Sequence, residues 1–369
     1  MIILILLIFG KILKNLNMNF KQLKKSFKNK KIFITGNSGF VGSYISLTLS
    51  LLGSNLLCYS LKKSNYKYIS NLQSYKNKIK TINNDLKNIN RYKKNIKKFR
   101  PEIVIHLASQ PIVKTSYKNP INTFNTNILG TANLLEILKD INSVKQILIF
   151  TSDKVYKNQN NKKLNENSIL GGLDPYSASK SSQDIIANSY KESFFKKNKN
   201  IIIIRAGNVI GGGDWEPTRL LPDFFNSVYK NKKIILRNPK AVRPWQHILD
   251  VVNGIIQVLV KKSKKIENKS IILNIGPNNT SNITVIDLIK KIKKNYKNIN
   301  VPYSIKKINF KETKILKLSN KLIKKKIGWK QKINITNSIK LTFNWYNHFY
   351  KNKKNIFKFT EKQILEFFK

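Results

Sequence analysis

Short apolar runs alternate with longer amphipathic stretches from residue 31 onward. The apolar runs cover residues 31–35, 55–60, 79–82, 102–106, 146–150 and 200–205, and they are rich in Ile, Leu and Val. Strands of this composition are typical of a parallel sheet covered on both faces. Stretches with helical periodicity lie between them, at 42–52, 89–99, 120–139 and 176–195. The alternation predicts an α/β fold, a Rossmann-like doubly wound parallel sheet of six strands.

The pattern becomes less regular after Gly207, where the stretch GNVIGGGDWEPTRLLPDFF is rich in Gly, Pro and Asp. We therefore predict a Rossmann domain at 29–207 and a smaller lobe at 208–369, with some segments of the lobe returning to the Rossmann domain. Residues 1–28 form an N-terminal extension. Its first nine residues are apolar, far fewer than the roughly 20 that cross a bilayer. We expect residues 1–17 to be an overextended start, with a peripheral membrane anchor as the alternative.

The charge balance is strongly positive, with 70 Lys and Arg against 18 Asp and Glu and a formal net charge of +52. Only six of the basic residues are Arg, and the Lys residues are spread over nearly every predicted loop and helix. Proteins that read nucleic acids cluster their charge and favour Arg for bidentate contacts, so a nucleic-acid partner is not expected. The positive field does favour an anionic substrate.

Cysteine usage and hydropathy indicate where the protein works. Cys58 is the only cysteine, which excludes an internal disulfide and favours a reducing compartment, the cytoplasm. Charged residues interrupt the chain beyond residue 17 too often for stable membrane insertion. No cluster of His, Cys, Asp and Glu has metal-ligand spacing, so no metal is predicted, and we interpret His106 and His247 as packing residues.

Three glycines follow the first predicted strand in the stretch FITGNSGFVGSY. Gly36, Gly39 and Gly42 come between the strand and the next helix, where glycine lets the backbone turn tightly and approach a pyrophosphate. The anion then lies at the positive end of the helix. This context predicts a dinucleotide site, with a ligand-free strand–helix turn as the alternative.

The end of the second predicted strand bears on the choice of dinucleotide. It closes on Tyr59 and Ser60, without the acidic residue that often holds the ribose hydroxyls of NAD. No Arg follows to bind a 2′-phosphate, although Lys62 and Lys63 leave NADP open. We favour NAD. Asp85 is a candidate for the adenine amino group, and a helix N-cap is an equally good interpretation of its spacing.

The chemistry-bearing residues come after the fifth predicted strand. That strand ends in TSDKVY, and PYSASK follows, which puts Tyr176 and Lys180 four residues apart on one face of a helix. A Lys ammonium beside a Tyr phenol and a nicotinamide cation favours the phenolate. In this context the pair indicates alcohol oxidation, with Tyr as the base and hydride passing to NAD.

The chain resembles a known family at several separate motifs. They read TGNSGFVG, HLASQPIVKTSY, TNILGT, TSDKVY, DPYSASK, RAGNVIGGGDW and RPWQH, and the similarity runs from about Lys31 to the C-terminus. These motifs are similar to those of the extended short-chain dehydrogenase/reductases, the NAD-dependent epimerase/dehydratase family. Within it, TSDK, GGGDW and RPWQH resemble the 4,6-dehydratases that act on CDP-glucose, hydro-lyases of deoxysugar biosynthesis such as that of 3,6-dideoxyhexoses in O-antigen.

The resemblance implies a mechanism. Tyr176 removes the proton of the glucose 4-hydroxyl while hydride passes from C4 to NAD, water is lost across C5–C6, and the hydride returns to C6. Asp153 is the acid that protonates the departing 6-hydroxyl, and Ser152 binds the substrate near O4. Lys154 stands where related dTDP-glucose dehydratases have a Glu base. It must therefore either lose its proton or stabilise the enolate as a cation.

The resemblance also implies the contacts of cofactor and substrate. The cofactor contacts are Gly36, Ser38, Gly39, Phe40, Val41, Gly42, Asp85, Leu86, Leu107, Ala108, Gln110, Thr126, Tyr176 and Lys180. The substrate contacts are Ser152, Asn208, Arg219, Arg243 and Glu312, with Arg243 on the pyrophosphate. Thr218 departs from the family, which usually has Asp at this position. Members of the family pair through the helix of Tyr176, so a homodimer or homotetramer is expected, with Ile185, Ile186 and Tyr190 in the interface.

Two alternatives stay open beside the CDP-glucose dehydratase. One is a related nucleotide-sugar enzyme, either a 4-epimerase or a dehydratase that uses another nucleotide, since the sequence alone does not distinguish the bases. The other is an inactive basic scaffold that keeps the fold and binds nucleic acid or membrane. Asp153 argues against an epimerase, because epimerisation needs no acid to expel the 6-hydroxyl. The intact set of Gly36, Asp153, Tyr176 and Lys180 argues against a scaffold.

Overall fold

A computed structural model describes residues 18–62, 69–157, 162–195, 199–264, 271–296, 302–306 and 313–369. The expected overextended start at residues 1–17 lies outside these ranges, as do Lys63 and the predicted substrate contact Glu312.

The strands follow the order of the chain. They are β1 (Lys31–Thr35), β2 (Asn55–Ser60), β3 (Thr81–Asn83), β4 (Ile103–His106), β5 (Gln146–Ser152), β6 (Asn200–Ala206), β7 (Val209–Ile210), β8 (Ile234–Leu236), β9 (Val242–Pro244), β10 (Gln246–His247), β11 (Ile271–Ile275), β12 (Asn282–Thr284) and β13 (Tyr303–Ile305).

The helices lie mostly between the strands. They are α1 (Phe20–Phe27), α2 (Phe40–Leu51), α3 (Gln73–Lys78), α4 (Ile89–Phe99), α5 (Val113–Lys118), α6 (Pro120–Phe124), α7 (Gly130–Lys139), α8 (Pro175–Ser193), α9 (Leu220–Tyr229), α10 (Ile248–Lys264), α11 (Val285–Asn295), α12 (Lys321–Ile327), α13 (Ile335–Lys351) and α14 (Ile356–Phe368). A π-helical segment, Asn125–Leu129, joins α6 to α7 and accounts for the single helix predicted at 120–139.

The central sheet confirms the predicted α/β fold and corrects its size. It has seven strands, not six, in the order β11-β6-β5-β4-β1-β2-β3, and all neighbours are parallel. The seventh strand, β11, pairs with β6 so that Ile271 lies opposite Ile202. The prediction stopped at residue 205, because the glycine-rich stretch that follows interrupts the regular alternation.

Both faces of the sheet are buried, because successive side chains of a strand point to opposite faces. On β1, Phe33 belongs to the same buried cluster as Tyr92 of α4 and Leu134 of α7. Its neighbour Ile34 belongs to the cluster on the other face, with residues of α2 and α10. This is the doubly wound arrangement, and it leaves the carboxyl ends of the strands uncovered by helices.

The rest of the chain caps this carboxyl edge with small pairings. Strand β7 pairs with β10, β9 with β12 in antiparallel fashion, and β8 with β13. Helix α13 packs its aromatic residues under the glycine-rich stretch 211–213, where a Cβ on Gly212 would lie 1.9 Å from Trp345 Cγ. In the described part of the chain, every helix is too short or too polar to span a bilayer.

Candidate active site

A cavity of about 910 Å³ opens at the carboxyl edge of the sheet. The residues predicted for the site meet there, with Gln110 outside the lining and Glu312 outside the described residues. Those in the lining are Gly36, Ser38, Gly39, Phe40, Val41, Gly42, Asp85, Leu86, Leu107, Ala108, Thr126, Ser152, Asp153, Lys154, Tyr176, Lys180, Asn208, Arg219 and Arg243. We call the side formed by residues 36–42, 151–155 and α8 the sheet wall, and the side formed by residues 214–223, Arg237 and Arg243 the lobe wall.

The glycine turn between β1 and α2 can hold a dinucleotide. Gly36 has a φ of +78°, and a Cβ there would lie 2.6 Å from the backbone nitrogen of Ala108. A Cβ on Gly42 would lie 2.1 Å from the carbonyl oxygen of Gly36, so only glycine lets the helix approach the strand this closely. Gly39 is the N-cap of α2, and its Cβ would meet only Gly36 O at 3.4 Å before entering the cavity. A pyrophosphate can therefore reach the backbone N–H groups of the first turn of α2.

The tip of β2 supports this turn instead of presenting an acid. The hydroxyl oxygens of Ser60 and Ser38 lie 2.5 Å apart, and the Ser38 hydroxyl also donates to Leu61 O at 2.8 Å. Asn37 holds the turn from the other side by donating to Thr81 Oγ1 at 2.7 Å. Sequence reasoning assigned no role to Ser60 or Asn37, because their partners lie in other elements.

Asp85 lies in the cavity lining and is not a helix cap. Its Oδ1 accepts a hydrogen bond from the backbone N–H of Lys87 at 3.0 Å, and α4 begins later, with Asn88 as its N-cap. Leu86 beside it is buried and lies near Gly130 of α7. The N-cap interpretation of Asp85 is therefore wrong, and the position beside the cavity fits an adenine contact.

Gln110 supports the loop after β4 from behind the cavity. Its amide donates to Thr123 Oγ1 at 2.9 Å, and its Oε1 accepts from Ile112 N at 2.6 Å. Asn127, in the π-helical segment, accepts from Gln110 N at 2.7 Å and donates to Ser179 Oγ at 2.8 Å. These bonds use the amide of Gln110 within the protein, so the structure places it as a support for Leu107 and Ala108 rather than in the lining.

His106 and His247 are buried packing residues, as the sequence interpretation had them. The ring nitrogens of His106 lie 2.7 Å from Thr35 Oγ1 and 3.0 Å from Thr131 Oγ1. His247 Nδ1 accepts from Leu249 N at 3.3 Å. Burial lowers the pKa of each ring to about 3, so both are neutral at physiological pH. Within the described residues, no group of three or more His, Cys, Asp and Glu residues could hold a metal ion.

Asp153 occupies the turn directly after β5 and is 3% exposed. Ser152 donates its hydroxyl proton to Asp153 Oδ1 at 3.0 Å, whereas Oδ2 has no hydrogen-bond partner among the described residues. Burial raises the pKa of this carboxyl, while Lys154, Ser152 and Arg243 act in the opposite direction. An acid that is buried and keeps one oxygen unpartnered can hold a proton and donate it into the cavity.

Tyr176 lies in the first turn of α8, where Asp174 is the N-cap and accepts from Ser177 N at 2.9 Å. Burial raises the pKa of Tyr176 to about 12, with Ser152 and Arg219 acting in the opposite direction. Lys180 Nζ donates to Gln183 Oε1 at 2.8 Å and to Phe150 O at 3.5 Å. Its support of the phenolate, together with a nicotinamide cation, stays a prediction.

Lys180 is itself 3% exposed. Burial lowers its pKa to about 7, while the carboxylate of Asp184 acts in the opposite direction. Exclusion of water therefore brings the charged and neutral forms of the Lys180 amine close in free energy, whereas it favours the protonated phenol of Tyr176.

The lobe wall carries two ion pairs. Arg219 Nη1 donates to Asp214 Oδ2 at 3.0 Å, and Arg237 Nη2 donates to Asp223 Oδ2 at 3.0 Å. The side chains of Arg219 and Arg237 are 33% and 24% exposed. Asp214 belongs to the GGGDW motif, but the sequence indicates no role for it, because its partner Arg219 is the N-cap of the next helix.

Arg243 and Asn208 complete the site. Arg243 is 4% exposed, and its Nη1 donates to Val242 O at 2.9 Å and to Lys314 O at 3.3 Å. Its charge acts on the carboxyl of Asp153, so the two walls meet at this point. Asn208 lies between β6 and β7, where its carbonyl oxygen accepts from Gln246 N at 2.9 Å. Arg guanidinium groups beside a buried acid can hold the phosphates of an anionic substrate across the reacting centre.

Comparisons with known proteins agree with this architecture. Residues 33–342 match the model of the family described as GDP-mannose 4,6 dehydratase. A CDP-glucose 4,6-dehydratase of Salmonella typhimurium is 34% identical over 276 residues, which are 73% of this chain and 77% of that protein. A dTDP-D-glucose 4,6-dehydratase of Dictyostelium discoideum is 31% identical over 278 residues, which are 71% of this chain and 61% of that protein.

Among solved structures, the dTDP-glucose 4,6-dehydratase of Bacillus anthracis, in complex with NAD, superposes with a TM-score of 0.73. It is 23% identical, and the match covers 88% of this chain and 98% of that one. At this identity the likeness shows the fold. Together with the family match, it confirms the resemblance inferred from the motifs.

Proposed function

The chain belongs to the GDP-mannose 4,6 dehydratase family, and from this premise we propose that it is a CDP-glucose 4,6-dehydratase. The reaction is an NAD-assisted hydro-lyase step that converts CDP-glucose into CDP-4-dehydro-6-deoxy-D-glucose. The observation that carries the proposal is the buried acid Asp153, in the same cavity as Tyr176 and the glycine turn. An enzyme that only oxidises and re-reduces C4 has no use for such an acid.

The cofactor proposed for the sheet wall is NAD, and the glycine turn fits its pyrophosphate. When bound, NAD supplies the positively charged ring that accepts the hydride from C4 and returns it to C6. The chain does the rest: Ser152 orients the sugar near O4, and Tyr176 takes the proton of the 4-hydroxyl. Asp153 then donates its proton to the departing 6-hydroxyl, a step that its raised pKa favours.

Lys154 follows Asp153 in the same turn and lines the cavity. We propose that Lys154 acts in the step that removes the proton from C5, which must precede the departure of the 6-hydroxyl. The amine serves there either as the base, after losing its own proton, or as the cation that stabilises the enolate. A solvent-exchange experiment at C5 in Lys154→Met and Lys154→Arg separates the two, because Arg keeps the cation and cannot act as a base.

The substrate is proposed to lie along the lobe wall, with its pyrophosphate on Arg243 and Arg219 and its sugar beside Asn208. Glu312 stays a prediction of the resemblance. The division into a cofactor-binding part at 29–207 and a substrate-binding part at 208–369 is a proposal of the same kind. It is supported by the position of the glycine turn before residue 207 and of the arginines after it.

Pairing of two or four copies is proposed through the outer face of α8 and its neighbours. This face exposes Ile185 at 57%, Phe194 at 51%, and Ile121 and Leu129 of the neighbouring helical segments at 66% and 54%. Of the other predicted contacts, Ile186 packs against the core, and the hydroxyl of Tyr190 donates to Glu136 at 3.0 Å. Light scattering of Ile185→Asp tests this: the variant should be monomeric, and an assembly unchanged from wild type would contradict the proposal.

A cytoplasmic location is proposed from the single cysteine.

The deciding experiment offers the purified protein NAD and a panel of nucleotide-glucoses with CDP, dTDP, UDP and GDP. We expect a 4-keto product, detected by its absorbance in alkali, with CDP-glucose preferred. An epimerase would instead change the sugar without forming a stable 4-keto product. A preference for another base would replace CDP-glucose as the substrate, and no turnover of any of the four would overturn the assignment altogether.

A further inference from the structure

A sealed ion pair lies behind the sheet wall. Arg205 of β6 donates from Nε to Asp184 Oδ2 of α8, and the two side chains are 2% and 1% exposed. Burying two charges costs as much as their attraction returns, and apolar residues of similar volume would serve stability as well or better. The pair therefore calls for a role besides packing.

Asp184 stands one helical turn from Lys180 on the same face of α8, the spacing at which helix side chains interact. Arg205 is also committed to other partners: Nη1 donates to the hydroxyl of Tyr156 at 2.9 Å, and the guanidinium lies 4.8 Å from the centre of its ring. Tyr156 directly follows the turn that carries Asp153, and its hydroxyl donates to Asn274 Oδ1 at 2.6 Å. The network thus ties the helix of Lys180 to the turn of Asp153.

We propose that Asp184, held in place by Arg205, is a positioning residue for Lys180, one helical turn away on the same face of α8. The proposal rests on the function proposed above and on the role that the resemblance implies for Lys180, a cofactor contact that supports Tyr176. Asp184 acts through Lys180 and is not proposed to touch the cofactor or the substrate.

Several charged or titratable groups surround Lys180, and Asp184 is the one that fits this role. Tyr176 shares its helix, His106 faces it from β4 and is neutral, and Asp153 and Lys154 lie in the turn after β5. Arg205 faces the same region from β6, and from α7 the nearest acid, Glu136, bonds to Tyr190 farther along α8. Burial lowers the pKa of Lys180, and the carboxylate of Asp184 opposes it.

The test compares Asp184→Asn with Arg205→Gln through the pH dependence of kcat. Activity should fall as pH rises through the pKa of Lys180, since the charged amine is the form that supports the phenolate. Loss of the carboxylate in Asp184→Asn should move this basic limb down by about one pH unit. In Arg205→Gln the buried carboxyl loses the cation that lowers its pKa and takes up a proton, so the limb should move down as well.

The affinity of each variant for NAD, measured against pH by quenching of tryptophan fluorescence, should shift in the same directions without any turnover. Asp250→Asn is the control, because Asp250 is a buried carboxylate of α10 outside the cavity lining. It should lower the melting temperature and leave the pH limb in place. Should Asp184→Asn not fold, the downward shift in Arg205→Gln carries the test alone.

A basic limb that stays in place in both variants would overturn the proposal and leave the pair as a packing element. A wild-type protein that binds NAD but turns over no nucleotide sugar would instead overturn the proposed function. In that case the pH dependence of NAD binding still decides the role of Asp184.

Discussion

The two walls of the cavity hold their charged groups in opposite ways. On the sheet wall, Asp153, Tyr176 and Lys180 are 3%, 8% and 3% exposed, and burial pushes each of them toward its neutral form. On the lobe wall, Arg219 and Arg237 stay partly in water and pair with Asp214 and Asp223. The pKa of Arg219 is raised by its partner, so its charge is permanent.

This difference separates two tasks. A group that transfers a proton must change its charge during the reaction, and exclusion of water brings the two forms of Asp153 and of Lys180 closer in free energy. A group that holds a phosphate must keep its charge throughout, and an Arg with a carboxylate partner does so. The sheet wall is therefore built for proton transfer and the lobe wall for binding, with Arg243 between them.

The sharpest separation should come from Asp153→Asn, which keeps the shape of the side chain and removes its proton. Elimination should slow by about 10²–10⁴-fold, the usual effect of losing a general acid. Oxidation at C4 should survive because Tyr176 is unchanged, so the absorbance of reduced nicotinamide should build up on mixing with substrate. Asp223→Asn, the control on the lobe wall, should show no such build-up. If both steps fall together, Asp153 orients the sugar and is not the acid.

Arg243→Met should show the second-largest effect. Removal of a buried, hydrogen-bonded charge costs about 2–5 kcal/mol of binding, or roughly 30-fold or more in kcat/KM, and it should raise KM more than it lowers kcat. Arg243→Lys keeps the charge without the fork and should recover only part of the loss. Arg100→Met, at the exposed end of α4, is the control and should match wild type. A fall confined to kcat would move Arg243 to the chemistry of the sheet wall.

Sequence predicted the sheet wall better than the lobe wall. The glycine turn and the Tyr176–Lys180 pair are short local patterns, because one strand end and one helix turn create each of them. The lobe wall depends on contacts between distant segments. Arg243 and Lys314 meet through pairing far along the chain, and no periodicity marks such a meeting. The seventh strand was missed for the same reason, since β11 joins β6 only in the folded sheet.

The pKa shifts in the site also depend on the folded structure and could not be predicted from the sequence. The spacing of Tyr176 and Lys180 predicts that they share a helix face, but it carries no information on burial. The pKa of Lys180 falls from 10.5 to about 7 because the sheet excludes water from its amine. Asp184 and Arg205, the groups behind Lys180, are 21 residues apart and were not connected by any motif.

The lowered pKa of Lys180 should also make the stability of the fold depend on pH. The unfolded chain keeps the proton of Lys180 up to its ordinary pKa of 10.5, while the folded protein releases it near pH 7. Between these values the unfolded state binds more protons, so the free energy of unfolding should rise with pH by up to about 1.4 kcal/mol per unit. Denaturant titrations should show this rise in wild type and not in Lys180→Met. Arg219→Met should keep it, because Arg219 stays charged throughout. A rise that persists in Lys180→Met would assign it to another group.

The smallest expected effect lies at Thr218, next to Arg219 on the lobe wall. Thr218 has a φ of +71°, a left-handed conformation that a β-branched residue adopts only under strain. Its backbone is held there, because its N–H donates to Asp223 Oδ1 at 3.2 Å and its carbonyl oxygen accepts from Arg237 Nη2 at 3.1 Å. Asn tolerates this conformation, so Thr218→Asn should raise the free energy of unfolding by about 0.5–1 kcal/mol. Thr218→Val, equally branched, should not raise it in thermal or denaturant unfolding. Equal gains in both variants would show that the Thr hydroxyl, and not the backbone, is the source of strain on this wall.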